Sequence, residues 1–252
     1  MAQLLPDRRV VTNELMDSLT IDEAAHLEAL DGLRRINRIS LTAQHLLRPI
    51  RDLLQRTSVK HLSLLDVACG GGDVAIRVAQ ELQRPKRGGR AGIRVDLTLL
   101  DRSPTALRQA AASAARGGVA CRCIEADVLT LPECPPVDIV ICSLFLHHLR
   151  KAQDVRSLLE HMRSWARHMV VISDLRRSHL GFIAAWIGCH ALSRSSIVHF
   201  DGPASVRAAW TRGELSELAA QANMSGARID RCWPWRMQLV WVPPAEVRHD
   251  NH

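Results

Sequence analysis

The chain alternates short, nearly continuous apolar runs with longer segments whose apolar residues recur at helical spacing. The runs His61–Val67, Ile93–Leu100, Ala120–Glu125, Val137–Ser143 and His168–Ser173 predict five strands. Asp73 to about Gln83, Thr105–Arg116 and Gln153–Ala166 predict the helices between them, and Leu146–Leu149 opens a further helical region. Apolar strands alternating with helices predict an α/β fold built on a doubly wound, mostly parallel sheet. After Asp174 the alternation pauses. It resumes with a helix over Gly213–Gln221, started by a capping box of Thr211 and Glu214. Ala227–Cys232 and Met237–Val242, joined around Trp233-Pro234-Trp235, predict an antiparallel hairpin at one sheet edge, which brings the sheet to seven strands.

Two regions lie outside this alternation. Before the first strand, helical spacing predicts helices from about Glu23 (capped by Asp22 or Thr20), from Asp31 to Ile39, and from Leu41 to Arg56 with an interruption at Pro49. Leu15, Met16 and Leu19 carry the same spacing further upstream. Residues 1–56 are thus expected to form a helical section packed on the sheet edge or closing over a ligand. Residues 176–208 are expected as an insertion within a main domain of residues 57–252. In the insertion, Leu180, Phe182, Ile183, Ala184, Trp186, Ile187 and Leu192 predict a short helix apolar nearly all round, surrounded by Arg176, Arg177, Arg194, His199 and Arg207. Its two readings are a buried structural helix and a hydrophobic cap over an acceptor.

Composition narrows the partners. A chain of 252 residues, 47% hydrophobic and 23% charged, has the balance of a soluble globular domain. The formal charge of +7 is spread without a long Lys/Arg run. With no tyrosine and three phenylalanines, there is little to stack single-stranded nucleic acid, so none is expected. Leu180–Gly188 is too short to span a bilayer, which leaves peripheral membrane association at most. The seven cysteines show no paired or zinc-like spacing and the N-terminus shows no signal-peptide core. The expectations are reduced, buried thiols, a cytoplasmic setting and no metal.

The chemistry centres on Leu64-Leu65-Asp66-Val67-Ala68-Cys69-Gly70-Gly71-Gly72-Asp73, where a strand end meets a glycine turn and then a helix. Glycine lets backbone approach a ligand, and a helix N-terminus presents unpaired N–H groups. Acids stand at three successive strand ends, Asp66, Asp101 and Asp127, where open α/β sheets bind ligands. An acid closing the second strand can accept both hydroxyls of a ribose; one after the third can accept the amine of adenine. Gly70–Ala75 also fits the dinucleotide fingerprint G-x-G-x-x-A. That fingerprint begins nearer the strand end, and it needs neither Asp66 nor Asp127.

Leu65–Asp73 resembles the first motif of class I S-adenosylmethionine-dependent methyltransferases, in particular those of ubiquinone and menaquinone biosynthesis and their small-molecule relatives. Leu99–Ser103 resembles their second motif, Glu125–Val128 with Leu131-Pro132 the third, and Val137–Leu149 the fourth. The resemblance covers roughly residues 60–175 in order and spacing, and Trp210–Leu215 resembles the family's late helix start. It implies a Rossmann-like methyltransferase fold with S-adenosyl-L-methionine as cofactor, held by Asp66, Ala68, Gly70, Gly72, Asp101, Arg102, Asp127, Val128 and Ser143. Asp66 and the glycines would face the methionine portion, Asp101 the ribose, and Asp127 with the Val128 N–H the adenine. Ala68 stands where many relatives have glycine.

The implied reaction is methyl transfer to a hydroxyl or carbon of a small apolar acceptor, aromatic, quinone-like or polyketide-like. A hydroxyl acceptor needs a base, for which His148 and His199 lead and His147 follows. Cys142-Ser143-Leu144-Phe145 lacks the Asn/Asp-Pro-Pro-aromatic motif common among adenine and amide N-methyltransferases. A non-catalytic holder of the cofactor and an NAD-dependent oxidoreductase are the alternatives.

Overall fold

The computed structural model describes residues 9–12, 14–17, 21–57, 59–85, 92–131 and 133–244. The segment before Arg9, Leu19, Thr20, the loop at 86–91, Pro132 and the tail from Ala245 therefore lie outside the described residues.

The elements are α1 (Glu23–Ile39), α2 (Thr42–Gln55), β1 (His61–Val67), α3 (Asp73–Gln83), β2 (Arg94–Asp101), α4 (Pro104–Arg116), β3 (Cys121–Glu125) and β4 (Val137–Ser143), then α5 (Ala152–Trp165), β5 (Ala166–Leu175), α6 (His179–Leu192), α7 (Ser196–Ala208), α8 (Arg212–Gln221), β6 (Arg228–Cys232) and β7 (Arg236–Trp241). Single 3₁₀ turns cover Leu15–Asp17 and Leu146–His148. The seven strands lie in the order β3-β2-β1-β4-β5-β7-β6. The first five are parallel, and β7 and β6 add an antiparallel edge, as the alternation predicts. Helices α2, α3 and α4 cover one sheet face, and α5 and α8 the other. The capping box of Thr211 and Glu214 starts α8. Asp22 caps α1 through the Ala25 N–H.

Three departures from the sequence pattern have local causes. The two helices expected over 23–39 are one: Gly32 does not break α1, but lets it run against the α6–α7 junction, where a Cβ would meet Ser193 Oγ at 2.2 Å. Pro49 does not interrupt α2. It leaves the His45 carbonyl without its helical donor, and the side-chain amide of Gln238 on β7 donates to that carbonyl instead. The insertion holds two helices where one is expected. Only Gly181 and Cys189 of α6 are buried, whereas Leu180, Trp186 and Ile187 are more than half exposed, so α6 is not a buried structural helix.

Helices α1, α6 and α7 pack on one another above the carboxyl ends of the strands. No helix among the described residues is long and apolar enough to cross a membrane. All seven cysteines are free. Cys134, Cys142 and Cys189 are buried as expected, but Cys123 is exposed because β3 is the sheet edge.

Candidate functional site

The glycine turn forms because the chain reverses between β1 and α3 with three residues in left-handed conformation: Ala68 at φ 55°, Gly70 at 52° and Gly72 at 70°. Two of them are glycine, which tolerates this; Ala68 is not. A Cβ at Gly72 would press on Ala110 at 2.9 Å, so this glycine lets α3 and α4 close together. A Cβ at Gly70 would meet nothing within 4 Å, so this glycine faces open space.

Asp101 braces the turn. Its carboxylate accepts the Gly70 N–H at 2.7 Å and the Ser103 N–H at 2.8 Å, tying β1 to the start of α4. Each oxygen keeps a lone pair for a ribose hydroxyl. Asp127 is exposed beyond β3 and accepts the Leu129 N–H at 2.9 Å, while the Val128 side chain is buried and its carbonyl meets His161. Ser143 ends β4, half-buried. The chain then turns at Leu144 (φ 57°), whose N–H donates to the Ser173 carbonyl at 2.8 Å. Asp66, Asp101, Asp127 with Val128, and Ser143 thus stand at the ends of four neighbouring strands.

Asp66 is the unsatisfied member. It is 1% exposed and neither carboxylate oxygen has a hydrogen-bond partner. Burial, with Asp73 and Asp101 nearby, pushes its carboxyl well above the ordinary range. A cationic ligand satisfies this acid in its ionised form, whereas a pyrophosphate brings no positive charge to it. The open space at Gly70 and the orphaned Asp66 therefore suit the ammonium and sulfonium of S-adenosylmethionine better than a dinucleotide. Helix α1 covers this place: Leu30 lies 3.8 Å from a Cβ built on Gly71, and Asn37 donates to Asp73 at 3.3 Å.

A second constellation straddles two cavities. One, of about 650 Å³, lies between Arg102, the turn after β4 and residues 11–15; the other, of about 310 Å³, is walled by α1, α6, α7 and the β6–β7 turn. Glu14, His147 and His148 line both. His147 is 3% exposed and its Nδ1 lies 2.6 Å from Asp174 Oδ1. Burial alone would raise the Asp174 carboxyl, but His147 and the Leu175 N–H outweigh it and hold it below the usual value. The contact uses Nδ1, which leaves Nε2 as the ring nitrogen on the side of Glu14. Glu14 closes the group, 3.9 Å from His147 Nε2 and 3.6 Å from His148 Nδ1, and accepts the Ser205 hydroxyl at 2.7 Å. The ligand atoms of Glu14, His147 and His148 all lie within 4.8 Å of one another, a spacing that also suits a small cation.

Of the expected bases, His148 is at the cavities and His199 is not. On α7, the His199 Nε2 meets the Ser193 carbonyl at 2.8 Å and its ring stacks on His190, away from both cavities. Glu14 and Asp174 are partners that the sequence reading did not assign. Asp174 carried a signal, an acid at the end of the fifth strand; Glu14 carried none.

Residues 9–12 and 14–17 reach the site as a strap. The Arg9 guanidinium donates to the carbonyls of His147, Leu149, Arg150 and Ala208 and lies 3.9 Å over the Trp210 ring. Burial lowers its pKa to about 10. Asp201 on α7 accepts the N–H groups of Leu15 at 2.8 Å and Met16 at 3.0 Å.

Comparison with known proteins agrees with this geometry. Residues 65–169 match the family model described as a methyltransferase domain. The chain is similar in structure to magnesium protoporphyrin IX methyltransferase of Synechocystis (15% identity, TM-score 0.55, 91% of each chain covered). It is also similar to an S-adenosylmethionine-dependent methyltransferase of Aquifex aeolicus (15%, TM-score 0.55, 88% of this chain and 99% of that one). A Nostoc punctiforme protein provisionally named an O-methyltransferase matches at 20% identity and TM-score 0.56 over 81% of this chain, which spans only 56% of that protein. No curated protein sequence matches significantly. The ubiquinone-type branch is not singled out among these relatives. Residues 65–169, with Asp66 and the glycine turn at one end and β5 at the other, match the methyltransferase-domain model, on a fold that the chain shares with S-adenosylmethionine-dependent methyltransferases.

Proposed function

We propose that the protein transfers the methyl group of S-adenosylmethionine to a hydroxyl of a small, largely apolar acceptor, aromatic, quinone-like or polyketide-like. The observation that carries this reading is the buried Asp174–His147 pair on the wall shared by the two cavities. Displacement at a sulfonium needs mainly alignment of nucleophile and methyl. A phenolic hydroxyl must also lose its proton, and His147 Nε2 is the base set to take it, with Asp174 fixing the ring and Glu14 and His148 alongside. A carbon acceptor activated by a neighbouring hydroxyl would use the same base. The 310 Å³ cavity is at the small end of ligand sites, and α6 faces it with Gly181, Ala184, Ala185 and Gly188. Residues 176–208 serve as the acceptor's cap, and the strap with α1 as the lid. The outward face of α6 (Leu180, Trp186, Ile187) is the surface on which peripheral membrane docking would rest, and vesicle flotation reads it.

The test is transfer of labelled methyl from S-adenosylmethionine to a panel of phenols and quinols. His147→Asn should lower kcat by about 10²–10⁴-fold on phenols of ordinary acidity. The loss should shrink on nitrophenols that are already ionised at the assay pH. An equal loss on both would remove the base role. Binding of S-adenosylhomocysteine without transfer to any acceptor would favour a non-catalytic holder of the cofactor.

A further inference from the structure

Arg236 is the first residue of β7, paired with Leu175 beside the Asp174 that holds His147. It is 3% exposed and lines the 310 Å³ cavity. Its Nη2 donates to Ser40 Oγ at 2.7 Å, and its Nη1 is buried with no partner. Among the described residues no carboxylate lies within 4 Å of this guanidinium; Asp174 and Asp73 act on it only from farther off. Burying a cation costs several kcal/mol unless an anion or a full set of acceptors meets it. The protein supplies one hydroxyl, and Arg236 lines a cavity whose other walls include Leu33, Ile36, Trp233 and Trp235.

We propose that the Arg236 guanidinium binds an anionic oxygen of the acceptor, so that the acceptor is an apolar or aromatic molecule carrying a carboxylate close to the hydroxyl to be methylated. This inference rests on the preceding reading of the cavity as the acceptor site. The shared cavity sets the closeness. Arg236, His147 and His148 line the same 310 Å³ space, so the cation and the base meet one small molecule. An ortho-hydroxy aromatic acid has this arrangement. The carboxylate of the cofactor's methionine portion is the other source of the same chemistry. The cavity favours the acceptor, since its walls come from α1, α6, α7 and the β6–β7 turn, and include neither the glycines 70–72 nor Asp101 nor Asp127.

The experiment is calorimetric titration of the full chain with 1-hydroxy-2-naphthoate and with its uncharged amide, with and without saturating S-adenosylhomocysteine. The wild type should bind the acid about tenfold or more tightly than the amide, the scale of one charged hydrogen bond. Arg236→Gln should bring that ratio near one, Arg236→Lys should keep most of it, and S-adenosylhomocysteine affinity should stay within about twofold in both. Equal binding of acid and amide by the wild type, or no binding of the acid, overturns the proposal even if Arg236→Gln does not fold. So does a preference that survives Arg236→Gln. A tenfold loss of S-adenosylhomocysteine affinity with the preference intact assigns Arg236 to the cofactor's carboxylate instead. A wild type that prefers the acid yet does not bind S-adenosylhomocysteine would refute the methyltransferase reading and leave the anion site standing.

Discussion

Ala68 pays for its position. At φ 55° its Cβ crowds the following carbonyl, a cost of roughly 1–2 kcal/mol for an L-residue. Ala68→Gly removes that strain but gives the unfolded chain more freedom, so the net gain should be about 0.5–1 kcal/mol. Urea denaturation monitored by circular dichroism reads it, and an unchanged midpoint would show that the turn relaxes around the methyl group. The strand-end positions of the candidate-site acids were legible residue by residue. Asp66, Asp101 and Asp127 each close an apolar strand, and a parallel sheet places strand ends together. The group Glu14–His147–Asp174 was legible only in part. It joins three distant segments, and nothing local tells that Glu14 folds back onto the turn after β4. His199 shows the converse. A histidine in an apolar helix has no sequence signature for the face it takes, and α7 turns it to the Ser193 carbonyl.

At the level of elements, β1, β4 and β5 were readable because buried parallel strands are nearly continuous apolar runs, whereas β2 alternates and β3, at the sheet edge, buries none of its residues. The lid was not, because its form depends on tertiary partners. Gly32 reads as a helix break and is a point of close approach; Pro49 reads as an interruption and is rescued by Gln238 from another element. The strap over the cavities depends likewise on long-range anchors, among them Arg9 at the turn after β4, Glu14 at Ser205 and Asp201 under the 3₁₀ turn at Leu15. Each N–H donated to an ionised carboxylate contributes about 1.5–3 kcal/mol. Asp201→Ala should therefore raise amide exchange at Leu15 and Met16 by about tenfold or more, with the amides of β1 and α3 unchanged. Exchange unaltered at those two positions would mean that Arg9, with the Glu14–Ser205 and Val10–Arg207 bonds, holds the strap without Asp201.

For the whole molecule, the candidate cofactor site is a proton-linked device. Asp66 and Asp73 both sit above the ordinary carboxylate range in the free protein, chiefly through burial, and Asp66 has no hydrogen-bond partner to ionise against. The unfolded chain loses the Asp66 proton near pH 3.9. The folded free protein keeps it to higher pH. Across that window the native state binds more protons than the unfolded one, so stability falls as pH rises. A ligand that brings positive charge to Asp66 favours the ionised form and reverses the trend. Binding should then release up to about one proton and tighten as pH rises through the same window. Titration of S-adenosylmethionine in two buffers of different ionisation enthalpy measures the release directly. Asp66→Asn should abolish it, weaken cofactor binding by about tenfold or more, and raise the melting temperature of the free protein at neutral pH by about 2–4 °C, the scale of 1 kcal/mol in a chain of this size. A variant that binds as tightly as the wild type and releases the same proton would place the linkage on Asp73 instead. That carboxylate already has Asn37 as a partner, so Asp73→Asn should leave most of the pH dependence in place.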